Sequence, residues 1–210
     1  MKKISLIKLV ETGVLAGIIL LMASFPMIGY IHIGPLAITL LTIPVVIGAI
    51  SVGPLSGLFL GTVFGMTSYL TCFGMFGGDA FGAALVDINP LFAFILCVPT
   101  RMLMGLFTGL IFKALYKTDK TKTVSYFVSG LLGALLNTIL FMGVLILLFW
   151  NTDYIQGIAS SAGATSILLF IWAMVGVNGI VEMCVTCAVG GAVSKALSRI
   201  IRHSSEGDYV

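Results

Sequence analysis

The sequence predicts an all-α membrane protein: one domain over residues 1–210, folded as a bundle of six transmembrane helices with both termini in the cytoplasm. Three observations carry this expectation. The chain is 59% hydrophobic and 9% charged, with a mean hydropathy of +1.16, whereas a soluble domain has about 25% charged residues. Its apolar runs approach the roughly 20 residues that a spanning helix needs, and breakers separate them. Its Lys and Arg residues gather in three places that six crossings bring to one side.

The first span is expected at about 7–29. MKKISLIKLV has the charge pattern of a signal peptide, but the apolar run that follows is long enough to span, so it reads as a retained first helix. The loop YIHIGP leads into a second span at 36–51, and the VGP turn opens a third at 54–72. A Gly-rich loop with Asp79, Asp87 and Asn89 precedes the fourth span at 90–116. The fifth runs over 124–150 and the sixth over 164–201, too long to lie wholly in hydrocarbon.

Lys2, Lys3 and Lys8 stand at the amino end, Lys113, Lys117, Lys120 and Lys122 between spans four and five, and Lys195, Arg199 and Arg202 at the carboxyl end. The loops 30–35, 73–89 and 151–163 contain neither Lys nor Arg. Because basic residues stay on the cytoplasmic side, the three basic clusters mark the inside. The protein is thus expected to be a multi-pass protein of the cell membrane, with the lipid bilayer as its surroundings. A net charge of +3 gives no indication of a nucleic-acid partner.

Four polar residues interrupt the greasy spans. Counting about 1.5 Å per residue from the charged inner ends puts Arg101 roughly 18 Å deep, Asn137 roughly 22 Å and Asn178 roughly 26 Å. Glu182 follows Asn178 by one turn on the same helix face. A charge at the centre of a spanning helix costs about 2.5–3.5 kcal/mol, so Arg101 and Glu182 must face the bundle interior. Two arrangements satisfy this. An Arg101–Glu182 ion pair can lock spans four and six together, or the four groups can line a pocket offering a cation, a carboxylate and two amides to a small solute. His32, alone in an outer loop, is a candidate cap for such a pocket.

Other chemistry finds little support. No G-x-x-x-x-G-K-[ST] phosphate loop is present, which excludes ATP hydrolysis by that route. Neither His32 nor His203 has metal-ligand spacing with a cysteine or carboxylate, so no metal and no other cofactor is expected. The pair Cys184 and Cys187 lies in an apolar helix without a second pair, as packing residues would. No Ser, His and Asp set falls at one depth, so the chain reads as a binding protein and not an enzyme. A stand-alone secondary transporter for a small organic solute remains the alternative, although two related halves and broken helices are not visible.

Glycines recur every four residues at Gly53, Gly57, Gly61 and Gly65, and shorter pairs stand at Gly13 with Gly17 and Gly105 with Gly109. Such stripes let another helix approach closely. For Gly105 and Gly109 packing within the bundle is expected. Gly13, Gly17, Gly57, Gly61 and Gly65 are candidates for an interface with a partner in the membrane.

Five stretches, in order, resemble the small substrate-binding S components of energy-coupling factor (ECF) vitamin transporters. They are TGVLAGI, TIPVVIGAISVGPLSGLFLGTVFGMTS, VPTRMLMGLFTGLIFKAL, GLLGALLNTILFMG and VGVNGIVE, and the resemblance covers nearly the whole chain. The last two look most like pantothenate-type members. The resemblance implies a six-helix subunit that captures a vitamin from outside with high affinity. It also implies assembly with a transmembrane coupling protein and two ATPase subunits, and toppling in the membrane to release the vitamin inside. Gly13 and Gly17 match the small-xxx-small pair with which members meet the coupling protein, and Arg101, Asn137, Asn178 and Glu182 fall where members have their pocket. The chain departs from the pantothenate type at Thr42, where a His is expected, and at Ala134, Leu135 and Leu136, where a more polar run is. Thr42 is thereby a candidate site residue, and folate, riboflavin or another precursor stays open beside pantothenate.

Overall fold

A computed structural model describes residues 6–25, 29–32 and 37–207. Helix α1 spans Leu6–Ser24, followed by an antiparallel hairpin of β1 (Tyr30–His32) and β2 (Ala37–Thr39), in which Ile31 pairs with Ile38. Helices α2 (Thr42–Ser51) and α3 (Pro54–Cys72) follow, joined at Gly53, whose φ of 135° only glycine adopts readily. Next come α4 (Ala80–Ile88), α5 (Pro90–Thr118), α6 (Val124–Phe149) and α7 (Asp153–Ser161). The last rod is α8 (Ile167–Val185), a π-turn at Thr186–Gly190, and α9 (Gly191–Gly207).

Five helical segments among the described residues are long and apolar enough to cross a membrane: Leu6–Ser24, Pro54–Cys72, Pro90–Thr118, Val124–Phe149 and Asn178–Arg199. The expected second span is the exception. Over 36–51 only Thr42–Ser51 is helical, about 15 Å at 1.5 Å per residue, because β2 takes up the residues before it. The alternation Ala37, Ile38, Thr39 suits a strand as well as a helix, and a short apolar run does not separate the two.

The loops over 73–89 and 151–163 also hold more structure than the sequence suggests. The Asp79 carboxylate accepts from the backbone N–H groups of Phe81 and Gly82 and so caps α4, and Asn89 caps α5 in the same way. Helix α4 buries Phe81 and Leu85, and α7 buries Ile155 and Ala159, all in one apolar cluster with Leu96, Leu145, Phe149, Phe170 and Met174. These two short helices roof the hairpin end of the bundle.

The opposite end is the basic one. The Ser51 hydroxyl donates to Glu11, which ties the end of α2 to the start of α1. Val46, Ile50 and Tyr126 pack with Phe112 and Tyr116, and the Lys195 ammonium reaches the Thr123 hydroxyl at 2.9 Å. The start of α1, the end of α5 and the body of α9 therefore meet at one end, together with Lys122 and Lys195.

The glycine stripe of α3 is an internal seam, which corrects the partner-interface expectation for Gly57, Gly61 and Gly65. A methyl group on Gly57 would stand 2.3 Å from the Gly105 carbonyl oxygen, one on Gly61 2.2 Å from that of Arg101, and one on Gly65 2.7 Å from the Val98 Cα. Backbone fills the space that a side chain would take, so α3 and α5 touch along this face. Gly105 and Gly109 pack inside the bundle as expected, against Gly57 and Pro54. Gly13 and Gly17 differ: a methyl group on either would meet nothing within 4 Å.

Candidate functional site

Helices α3, α5, α6 and α8 enclose a cavity of about 130 Å³ beneath the α4 roof. That is space for about ten water-sized groups, the scale of a small metabolite. Helix α3 contributes Ser68, Thr71 and Cys72, α5 contributes Leu96, Cys97 and Arg101, and α6 contributes Asn137, Thr138, Phe141 and Met142. Met174, Asn178 and Glu182 recur at four-residue spacing along α8, so one face of that helix forms a wall. Thr39, Asp79, Phe81 and Leu85 close the hairpin side.

The structure brings Arg101, Asn137, Asn178 and Glu182 to this one cavity, and all four are buried. They do not form the ion pair that the sequence allows. Glu182 Oε1 accepts from the Thr42 hydroxyl at 2.6 Å and from the Asn137 amide at 3.2 Å. Thr42 is the first residue of α2, so the positive end of a half-length helix is directed at this carboxylate. Thr42 itself is fully buried and stands behind Glu182, not on the cavity wall. Its hydroxyl thus bonds the carboxylate from the side away from the cavity.

Arg101 is held from its own helix. Nη1 donates to the Leu96 carbonyl at 2.9 Å and to the Thr100 hydroxyl at 3.2 Å. Side chains on a helix lean toward its N-terminus, and this lean carries the guanidinium toward the hairpin end. Pro99, within the same turn, has no N–H to offer the Ile95 carbonyl, which interrupts the backbone ladder beside the arginine. The guanidinium carbon lies 4.6 Å from the Phe141 ring centroid and 5.3 Å from that of Phe64, so two aromatic faces steady the cation. Arg101 Nε and Asn137 Oδ1 are buried and lack a partner, leaving polar capacity unspent at the cavity.

The set offers guanidinium donors, the Glu182 carboxylate at mid-depth, the Asp79 carboxylate at the roof, two amides and several hydroxyls in an otherwise apolar chamber. Such a lining recognises a solute carrying both acceptors and donors. His32 ends β1, but its side chain lies outside the described residues. Among the described residues no cluster of three or more His, Cys, Asp or Glu could hold a metal ion. Cys184 is exposed and Cys187 half-buried, both as free thiols away from the cavity.

Sequence reasoning missed Ser68, Thr71, Asp79 and the ring of Phe141. The hydroxyls gave little signal, because Ser and Thr in apolar helices commonly bond back to their own backbone, as Thr71 does to the Thr67 carbonyl. Phe141 was in principle findable, one turn beyond Asn137 on the same face.

No curated protein matches the chain significantly. The family described as ECF transporter, substrate-specific component, matches residues 7–190, a stretch that contains every residue lining the cavity. ECF substrate-specific components are transport subunits, not enzymes, and take a small-molecule substrate. The chain belongs to this family: it is a substrate-specific membrane subunit of an ECF transporter.

Proposed function

We propose that this subunit captures a vitamin, pantothenate in the first instance, from outside the cell, and hands it inward with a transmembrane coupling protein and two ATPases. The observation that carries the reading is the meeting of Arg101, Asn137, Asn178 and Glu182, from three helices, on the wall of one small cavity. Arg101 pairs with the solute carboxylate, Asn137 and Asn178 bond its amide or hydroxyls, and Glu182, held by Thr42, accepts from a hydroxyl. Pantothenate carries each of these groups, and the stretches GLLGALLNTILFMG and VGVNGIVE resemble those of pantothenate-type members. Folate, riboflavin and related precursors are the competing ligands within the same family.

The chain crosses the membrane six times in this reading, with both termini in the cytoplasm. The hairpin and α2 together make the second crossing, the strands occupying the outer half and the 10-residue helix the inner half. The basic end then faces the cytoplasm, in keeping with the retention of Lys and Arg there. The roof of α4 and α7 faces outward and closes over the captured solute.

Titration of the purified protein with pantothenate tests the reading and should show saturable one-to-one binding. Binding of folate in its place would reassign the vitamin, binding of riboflavin, which has no carboxylate, would also remove the Arg101 pairing, and binding of none of them would remove the vitamin-capture reading. Proteoliposomes holding only this chain should accumulate no solute down an ion gradient; accumulation would establish the stand-alone carrier instead.

The face of α1 bearing Gly13 and Gly17 is the proposed contact with the coupling protein, since a methyl group on either would meet nothing within 4 Å among the described residues. Gly13→Leu or Gly17→Leu is expected to abolish co-purification of the coupling protein while leaving solute affinity within about twofold, because no packed neighbour is displaced. Loss of both properties together would show that the face is needed within the bundle.

A further inference from the structure

A second cavity, of about 160 Å³, opens at the basic end. Tyr116 at the end of α5, Thr121, Lys122 and Thr123 in the following loop, and Lys195 and Arg199 on α9 are its principal walls. Three cationic side chains thus converge on one hollow, and among the described residues no carboxylate lines it. Lys122 Nζ donates to the Tyr116 carbonyl at 2.6 Å and lies 4.4 Å from the Tyr116 ring centroid. Lys195 Nζ donates to Thr123. Both ammonium groups are therefore held by neutral acceptors, with no carboxylate partner among the described residues. Arg199 is exposed and has no hydrogen-bond or ion-pair partner among the described residues.

The loop is built to present these groups. The backbone N–H of Ser125 donates to Asp119 at 2.8 Å, and the N–H and hydroxyl of Thr121 donate to it at 2.9 and 2.8 Å. The Ser125 and Thr121 bonds hold the Asp119 carboxyl well below the usual carboxylate range. Lys122 adopts a φ of 52°, a left-handed conformation rare for a residue with a side chain. Such backbone persists only where its surroundings fix it, and it is concentrated at ligand sites.

We propose that this hollow is a second binding site, distinct from the solute cavity, for a phosphate-bearing anion. A guanidinium fork and two ammonium groups, with threonine hydroxyls between them, match the tetrahedral oxygens of a phosphate ester. The headgroup of an anionic lipid and a soluble phosphate share this chemistry. A basic pocket between helices at the membrane surface, flanked by Tyr116 and Tyr126, suits the headgroup in particular.

The test uses the full chain, delipidated in a neutral detergent and titrated separately with phosphatidylglycerol, phosphatidylcholine and inorganic phosphate, with bound ligand read by native mass spectrometry. Saturable binding of phosphatidylglycerol over phosphatidylcholine supports a lipid headgroup, and binding of inorganic phosphate alone supports a soluble source. The double variant Lys195→Gln/Arg199→Gln should bind about tenfold more weakly, while Lys113→Gln/Lys117→Gln, which removes equal charge outside the hollow, should change binding less than about twofold. Arg199→Gln alone breaks no hydrogen bond and should fold, weaken phosphate binding and leave binding at the solute cavity intact. Binding of neither phosphatidylglycerol nor phosphate, or equal losses in the two double variants, overturns the proposal.

Discussion

Arg101→Ala is expected to weaken solute binding to the purified protein about 100-fold, the largest effect of any single side chain in the cavity. A hydrogen bond to a charged group contributes about 1.5–3 kcal/mol, and tenfold in affinity corresponds to about 1.4 kcal/mol. The guanidinium is already steadied by Phe64, Phe141 and the Leu96 carbonyl, so little order is lost when solute arrives. Asn178→Ala should weaken binding about tenfold, as suits a neutral partner. Isothermal titration of the two variants checks both. Unchanged affinity in both would place the solute elsewhere.

Gly61→Val is expected to lower the thermal midpoint in detergent by about 10 °C and to impair solute binding with it. The added carbon would stand 2.2 Å from the Arg101 carbonyl oxygen, and backbone does not rotate away as a side chain can. Overpacking of this kind costs roughly 1–3 kcal/mol or more when two helices are forced apart. Because the clash falls on Arg101 itself, the seam and the cavity fail together. Gly17→Val, whose Cβ would meet nothing within 4 Å among the described residues, should leave the midpoint nearly unchanged. A midpoint equally insensitive to both substitutions would contradict the internal placement of the α3 stripe.

The legible parts of the site were those that membrane energetics makes costly. A charge or amide in an apolar helix demands a partner, so Arg101, Asn137, Asn178 and Glu182 stood out, and counting turns placed them at similar depth. What surrounds them was not legible. The pairing of Glu182 with Thr42 and Asn137, in place of Arg101, depends on where α2 begins. That start is set by the strand over Ala37–Thr39, whose apolar residues serve helix and strand alike. The glycine stripe had a clear meaning, close helix approach, but spacing does not say which helix approaches. For Gly57, Gly61 and Gly65 it is α5, whereas Gly13 and Gly17 leave their face open. Short roof helices of nine residues, such as α4 and α7, fall below the length at which periodicity separates a helix from a loop.

The most direct measurement of the central claim is mass spectrometry of the small molecules extracted from purified protein, comparing the wild type with Arg101→Ala. The account predicts one vitamin-sized solute bearing a carboxylate, in near-equimolar amount with the wild type and largely lost from the variant. A solute retained equally by both proteins, or one without an anionic group, would contradict it.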